Sequence, residues 1–162
     1  MTTRFAEYLA DVACTGSLLG LRNGATVADI DGAFGDPSYV DDMDKRRKNF
    51  RRDYGLIEFG FQSDPLLGWT CFSAIIAVHR LRWNAHVPSS IAALVGEAPL
   101  VISLSDLKES IALRGSSIRK MDTEFHDFKY YSIPSSRAQV IVTAEDIDDI
   151  LIADCVWSIT LW

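Results

Sequence analysis

Gly55-Leu56-Ile57-Glu58-Phe59-Gly60-Phe61 is the stretch that decides the fold. Ile57, Phe59 and Phe61 alternate with Glu58 and Gly60, the period-two pattern of a strand with one buried face. Ser63-Asp64-Pro65 then begins a turn. Cys71 to Leu81 reads as a second strand, apolar on both faces until His79-Arg80 and so central in its sheet. The pair predicts a β-hairpin with a loop of roughly eight residues.

Working upstream, the chain turns helical. Phe5, Leu9 and Val12 share one face of a helix over residues 3–13, with Glu7 and Asp11 off it. Thr26 is placed to N-cap a second helix, and Asp29 stands three residues on as a short-armed capping-box acid. Ile30 and Phe34 supply its buried side, Gly35 is a natural stop and Pro37 prevents continuation. Residues 38–54 are polar and charged and read as a loop with a helical turn around the basic run.

Downstream, Val87 to Pro99 reads as a short helix or a linker. Ser103 opens another capped helix, with Asp106 at capping-box spacing, Leu104, Leu107 and Ile111 as its stripe, and Gly115 after it. Phe128–Ile133 and Ala138–Thr143 read as strands around the turn Pro134-Ser135-Ser136. Ile147, Ile150 and Leu151 are spaced for a single helical turn. Asp154 to Trp162 closes the chain as a strand, with Cys155, Trp157, Ile159 and Leu161 on one face. These elements predict a single α+β domain over residues 1–162, an antiparallel sheet covered on one face by helices. Their order points to two similar halves, 1–82 and 100–162.

The chain has 162 residues, 48% of them hydrophobic, and a formal net charge of −6. That is enough to build a real core and too apolar for wholesale disorder. No apolar run approaches the ~20 residues of a membrane span. Glu7 and Asp11 interrupt the stretch a secretory leader would need, so a cytoplasmic protein is expected. Lys45-Arg46-Arg47-Lys48-Asn49-Phe50-Arg51-Arg52 holds six of the 16 basic residues, leaving ten to face all 22 acids. An acidic body with one basic segment argues against direct nucleic-acid binding and suits a basic partner.

Catalytic and metal motifs are missing from the sequence. His79, His86 and His126 form no H-E-x-x-H, and no nucleophile elbow, P-loop or dinucleotide fingerprint occurs. Cys14, Cys71 and Cys155 are widely spaced and read as reduced, mostly buried thiols. Cys71 and His79, eight residues apart on one predicted strand, would stand roughly 26 Å apart and make no dyad. No cofactor, metal or catalytic residue is therefore assigned. The acidic clusters Asp146, Asp148 and Asp149 (with Glu145), and Asp41, Asp42 and Asp44, are the candidate partner-binding groups, since complementary charge speeds encounter and sets register. Trp162 has the parity of Val156, Ser158 and Thr160. That sets it either beside the second cluster as an exposed hot spot or packed into the sheet edge.

Gly24 to Pro37 reads G-x-T-x-x-x-I-x-x-x-F-G-x-P. It resembles the signature G-M-T-x-x-x-V-x-x-x-L-G-x-P of the β-lactamase-inhibitor-protein-like superfamily, with Ala25 where Met is usual. The resemblance implies a capped helix on an antiparallel sheet. The stretch from Arg52 to Phe61, with Val78-His79-Arg80-Leu81 after it, looks like small actinobacterial proteins encoded beside polymorphic toxins. That likeness implies a cytoplasmic immunity protein that binds and blocks one cognate toxin. A toxin with a basic active-site cleft would suit the acidic surface, with the inhibitor a monomer or small homo-oligomer and no membrane involved. The alternative is a small-molecule-binding or enzymatic domain whose pocket is lined by Tyr54, Glu58, His79 and Arg80. A structural subunit of a larger assembly is a third reading.

Overall fold

In the computed structural model, described over residues 2–35, 39–41 and 48–162, local capping chemistry sets the principal helices. Helix α1 (Arg4–Thr15) starts where the Thr3 hydroxyl accepts from the Ala6 amide and ends at Gly16, at φ +64°. Helix α2 (Val27–Phe34) carries the expected capping box: the Thr26 hydroxyl accepts from the Asp29 amide at 3.2 Å, and the Asp29 carboxylate accepts from the Thr26 amide at 2.9 Å. The Thr26 amide, and then the Thr26 hydroxyl, donate to the Asp29 carboxylate and hold its pKa below the ordinary value. Helix α3 spans Ser89–Val95, and α4 (Leu104–Leu113) is capped by Ser103, which accepts from the Asp106 amide at 3.0 Å.

Eight strands, counted among the described residues, make one antiparallel sheet: β1 (Tyr39–Asp41), β2 (Asn49–Asp53), β3 (Ile57–Asp64), β4 (Gly68–Ile76), β5 (Arg119–Phe125), β6 (Phe128–Ser132), β7 (Gln139–Thr143) and β8 (Val156–Leu161). Their lateral order is β1-β2-β3-β4-β8-β7-β6-β5. The sheet is thus two four-stranded meanders joined where β8 pairs with β4. An α+β class follows.

The cross-strand register sorts the side chains into two rows. Ile57, Ile76, Ile159, Val140 and Tyr131 lie opposite one another across five strands, and Phe59, Ala74 and Leu161 form the next rank. All of these are buried, in one cluster with Phe5, Leu9, Ile30, Leu107 and Ile111 of the helices. Asp53, Glu58, Ile75, Thr160, Gln139 and Ser132 make the corresponding row on the opposite face, and none of them is buried. Burying one Phe or Ile stabilises by roughly 1.5–3 kcal/mol, so this core decides which face of each strand points inward.

Several expectations are corrected. The segment read as a loop contains β1 and β2. The β3–β4 connection is three residues, 65–67, because the Asp64 carboxylate accepts from the Leu66 and Leu67 amides (2.8 Å each) and closes a tight turn. Strand β4 stops at Ile76, and the chain continues as a 3₁₀-helix, Val78–Trp83. Residues 144–155 contain no helical turn; bends shaped by carboxylates take its place. Strand β5 was not anticipated. Arg119, Lys120 and Asp122 are exposed on it, and such charges discourage pairing at a sheet edge.

Candidate functional site

One irregularity of register builds the site. Ile141 lies opposite Ser158, but Val142 lies opposite Val156, so Trp157 is an extra residue in β8. A bulge of this kind re-aims a side chain. Trp157 is therefore released from the buried row predicted for it and stacks on His79 of the 3₁₀-helix, ring centroids 4.0 Å apart and planes 4° from parallel. The Phe128 ring lies 5.0 Å from Trp157, steeply inclined to it, and Trp83 meets His79 edge-on at 6.2 Å. Phe128 pairs across the hairpin with Phe125, whose ring lies 5.9 Å from Tyr130. Trp83 and Phe125 are each 61% exposed.

Hydrogen bonding settles the state of His79. Its Nδ1 lies 3.0 Å from the Trp157 carbonyl oxygen, which can only accept, so Nδ1 carries the proton. Burial lowers the His79 pKa below its ordinary value, against the opposing pull of that bond. The ring is a neutral stacking partner.

Both arginines of the 3₁₀-helix are held by carboxylates. The Arg82 guanidinium lies 3.8 Å above the Trp83 ring and pairs with Asp148. Arg80 donates to Asp53 and to the Gly55 carbonyl, both at 2.9 Å, and pairs with Glu58. Burial works against the Arg80 charge, but the bonds and charges of Glu58 and Asp53 outweigh it and raise the pKa. Asp148 also accepts from the Ile150 and Leu151 amides at 2.9 and 2.8 Å, and Asp146 from the Ala153 amide at 2.7 Å. These bonds fold the β7–β8 loop and present Ile147, Ile150 and Ile152, all partly exposed, beside the acids.

The structure separates the residues singled out from sequence. Asp146, Asp148 and Asp149 share the β7–β8 loop and are exposed. Trp162 lies at the far end of β8, roughly 20 Å away. Its indole donates to the Gly16 carbonyl at 2.7 Å and it packs against the core, so it is not an exposed neighbour of that loop. Asp41 lies on β1, four places from β8 and so roughly 19 Å across the sheet; Asp42 and Asp44 are outside the described residues. His79, Trp83, Phe125, Phe128 and Trp157 were missed as a group. The one sequence signal is Trp83 itself, an aromatic residue directly after Arg82 in the basic stretch His79-Arg80-Leu81-Arg82.

The remaining chemistry is sparse. Burial pushes the Cys71 thiol up to about 12 and raises Cys155 as well, so neither is a ready nucleophile. Among the described residues no three His, Cys, Asp or Glu side chains converge as a metal site. Two cavities, of about 340 and 390 Å³, are lined by Tyr8, Asp11, Arg22 and Leu94 and by Ser103, Lys108, Asp154 and Cys155. Tyr54, Glu58, His79 and Arg80 line neither. No described helix is long and apolar enough to cross a membrane. No protein-family model, curated protein or solved structure matches the chain.

Proposed function

We propose that this chain is a non-enzymatic inhibitor, an immunity protein that binds one cognate toxin in the cytoplasm and covers its active site. The observation that carries the reading is the half-buried aromatic run from Trp83, its exposed end, through His79 and Trp157 to Phe128, with the Asp146–Asp149 loop beside it. Binding hot spots are enriched in aromatic residues that a partner desolvates, with polar groups at the rim. In this reading the helices cover one face of the sheet and the toxin takes the other. Two α-helices and four strands fall within residues 1–82 among the described residues, whereas 100–162 holds one helix, α4, and four strands; two similar halves presenting one continuous surface are part of this reading.

The loop acids Asp146, Asp148 and Asp149 would meet a basic cleft first, competing with the toxin's own anionic substrate. Asp41, on the edge strand β1, would form a separate contact; Asp42 and Asp44, expected to act with it, lie outside the described residues. Stable inhibition needs about 1,200–2,000 Å² of total buried area. The pocket alternative is less favoured, since Glu58, Asp53 and Arg80 are already paired with one another.

The test is co-expression with the product of the gene immediately upstream. Restored growth, together with a 1:1 complex that survives gel filtration, is the expected result. An upstream product that is harmless alone, or whose toxicity is unchanged, would overturn the proposal.

A further inference from the structure

We infer that the surface formed by Trp83, Trp157, Phe125 and Phe128 with Asp146 and Asp149 is an acceptor for arginine side chains presented by a partner protein. This deepens the inhibitor reading and rests on it for the partner's identity, though not for the chemistry.

The first argument is charge. Residues 144–155 carry Glu145, Asp146, Asp148, Asp149 and Asp154 and no Lys or Arg. Arg82 pairs with Asp148 and Lys129 with Asp154, at 2.9 Å for the latter. Glu145, Asp146 and Asp149 remain as the local excess, all exposed. A partner group that complements this rim is cationic.

The second argument is the rings. An aromatic face attracts a cation electrostatically, most strongly for Trp. Trp83 and Phe125 are more than half exposed, and they flank the His79–Trp157–Phe128 cluster. The molecule already pairs these groups once: the Arg82 guanidinium carbon lies 3.8 Å from the Trp83 ring centroid while a carboxylate, Asp148, takes its charge. A guanidinium satisfies both demands because it stacks through its plane and donates through its edge, whereas an ammonium is a strongly hydrated point charge. Arginine should therefore be preferred to lysine.

The native tryptophans make the test internally controlled. Trp83 and Trp157 belong to the surface, whereas Trp69 packs on Phe50 and Trp162 bonds to Gly16. An acetylated tetra-arginine peptide is titrated into the ¹⁵N-labelled protein, with tetra-lysine and tetra-glutamate peptides as comparisons, while the four indole N–H signals are followed. The expected result is saturable movement of Trp83 and Trp157 with tetra-arginine, weaker binding of tetra-lysine, and still signals for Trp69 and Trp162. Trp83→Ala should weaken tetra-arginine by about two- to fivefold. Asp149→Asn, which leaves the rings in place, should also weaken it.

Equal binding of the lysine and arginine peptides, or no movement at Trp83 and Trp157, would overturn the inference. The two proposals fail separately. Arginine capture without any inhibited toxin removes the immunity function only, and a toxin complex that leaves Trp83 and Trp157 unperturbed removes the arginine acceptor only.

Discussion

The imidazole of His79 lies parallel to the indole of Trp157 and donates its Nδ1 proton to that residue's own carbonyl oxygen, so ring and backbone of one residue are both engaged by a single side chain. The contact ties the 3₁₀-helix to the bulge in β8. It also makes the site sensitive to protonation. Burial lowers the His79 pKa in the folded chain, so the unfolded chain takes up the proton first. Stability from this group is complete above the ordinary histidine value of about 6.5 and is lost as pH falls from there through the lowered folded-state value. Urea midpoints of the wild type and His79→Phe, compared at pH 7.5 and 5, should show the wild type losing more. Equal losses would remove His79 from the acid response.

Gly55 occupies φ +85°, and a Cβ there would lie 2.9 Å from the His86 Cβ and closer still to the His86 carbonyl oxygen. That oxygen accepts from the Leu56 amide, so the backbone has nowhere to retreat. Gly55→Ala should destabilise by about 2–3 kcal/mol, combining left-handed strain with overpacking. Gly20→Ala, at φ +80° with open space around it, isolates the strain alone. A thermal melt of both variants gives the difference.

Thr26 caps α2 through a bond that a methyl group cannot make. Thr26→Ala should cost about 1 kcal/mol, and Thr26→Ser should restore most of it. Denaturant titration at neutral pH reads the effect.

Cys71 is buried and its thiol is pushed up to about 12. In the native protein at pH 8 it should resist a thiol-reactive dye for as long as the fold persists. Fast labelling of Cys71, mapped by mass spectrometry, would show that β4 opens.

Reversal of Asp146 and Asp149 to Lys should slow association with the partner and reduce its salt dependence, because exposed rim charges act mainly on encounter. Stopped-flow mixing at two ionic strengths is the measurement. Unchanged rates would exclude electrostatic steering by this loop.

The parts legible in the sequence are those decided within a few residues. The Thr26–Asp29 and Ser103–Asp106 caps join groups three residues apart, so residue type and spacing sufficed. Ile57, Phe59 and Phe61 announced the strand because all three are buried with Glu58 half-buried among them, although Gly60 is buried as well. Strands β2 and β5 gave no such signal, since Arg51, Arg119, Lys120 and Asp122 are exposed near the sheet edges and no buried face imprints a period.

The sequence by itself thus determined the main helices, the central strands, the apolar stripes that meet in the core and the acidity of the body. Tertiary structure decided where the aromatic surface lies. Whether Trp157 points inward depends on the register of β8 against β7, set by Val142 opposite Val156 and Ile141 opposite Ser158. Whether Trp162 is free depends on Gly16, 146 residues away along the chain. Capping is local and survives in any register; the direction of a β-strand side chain reverses with a single extra residue, and only the packed sheet specifies where that residue falls.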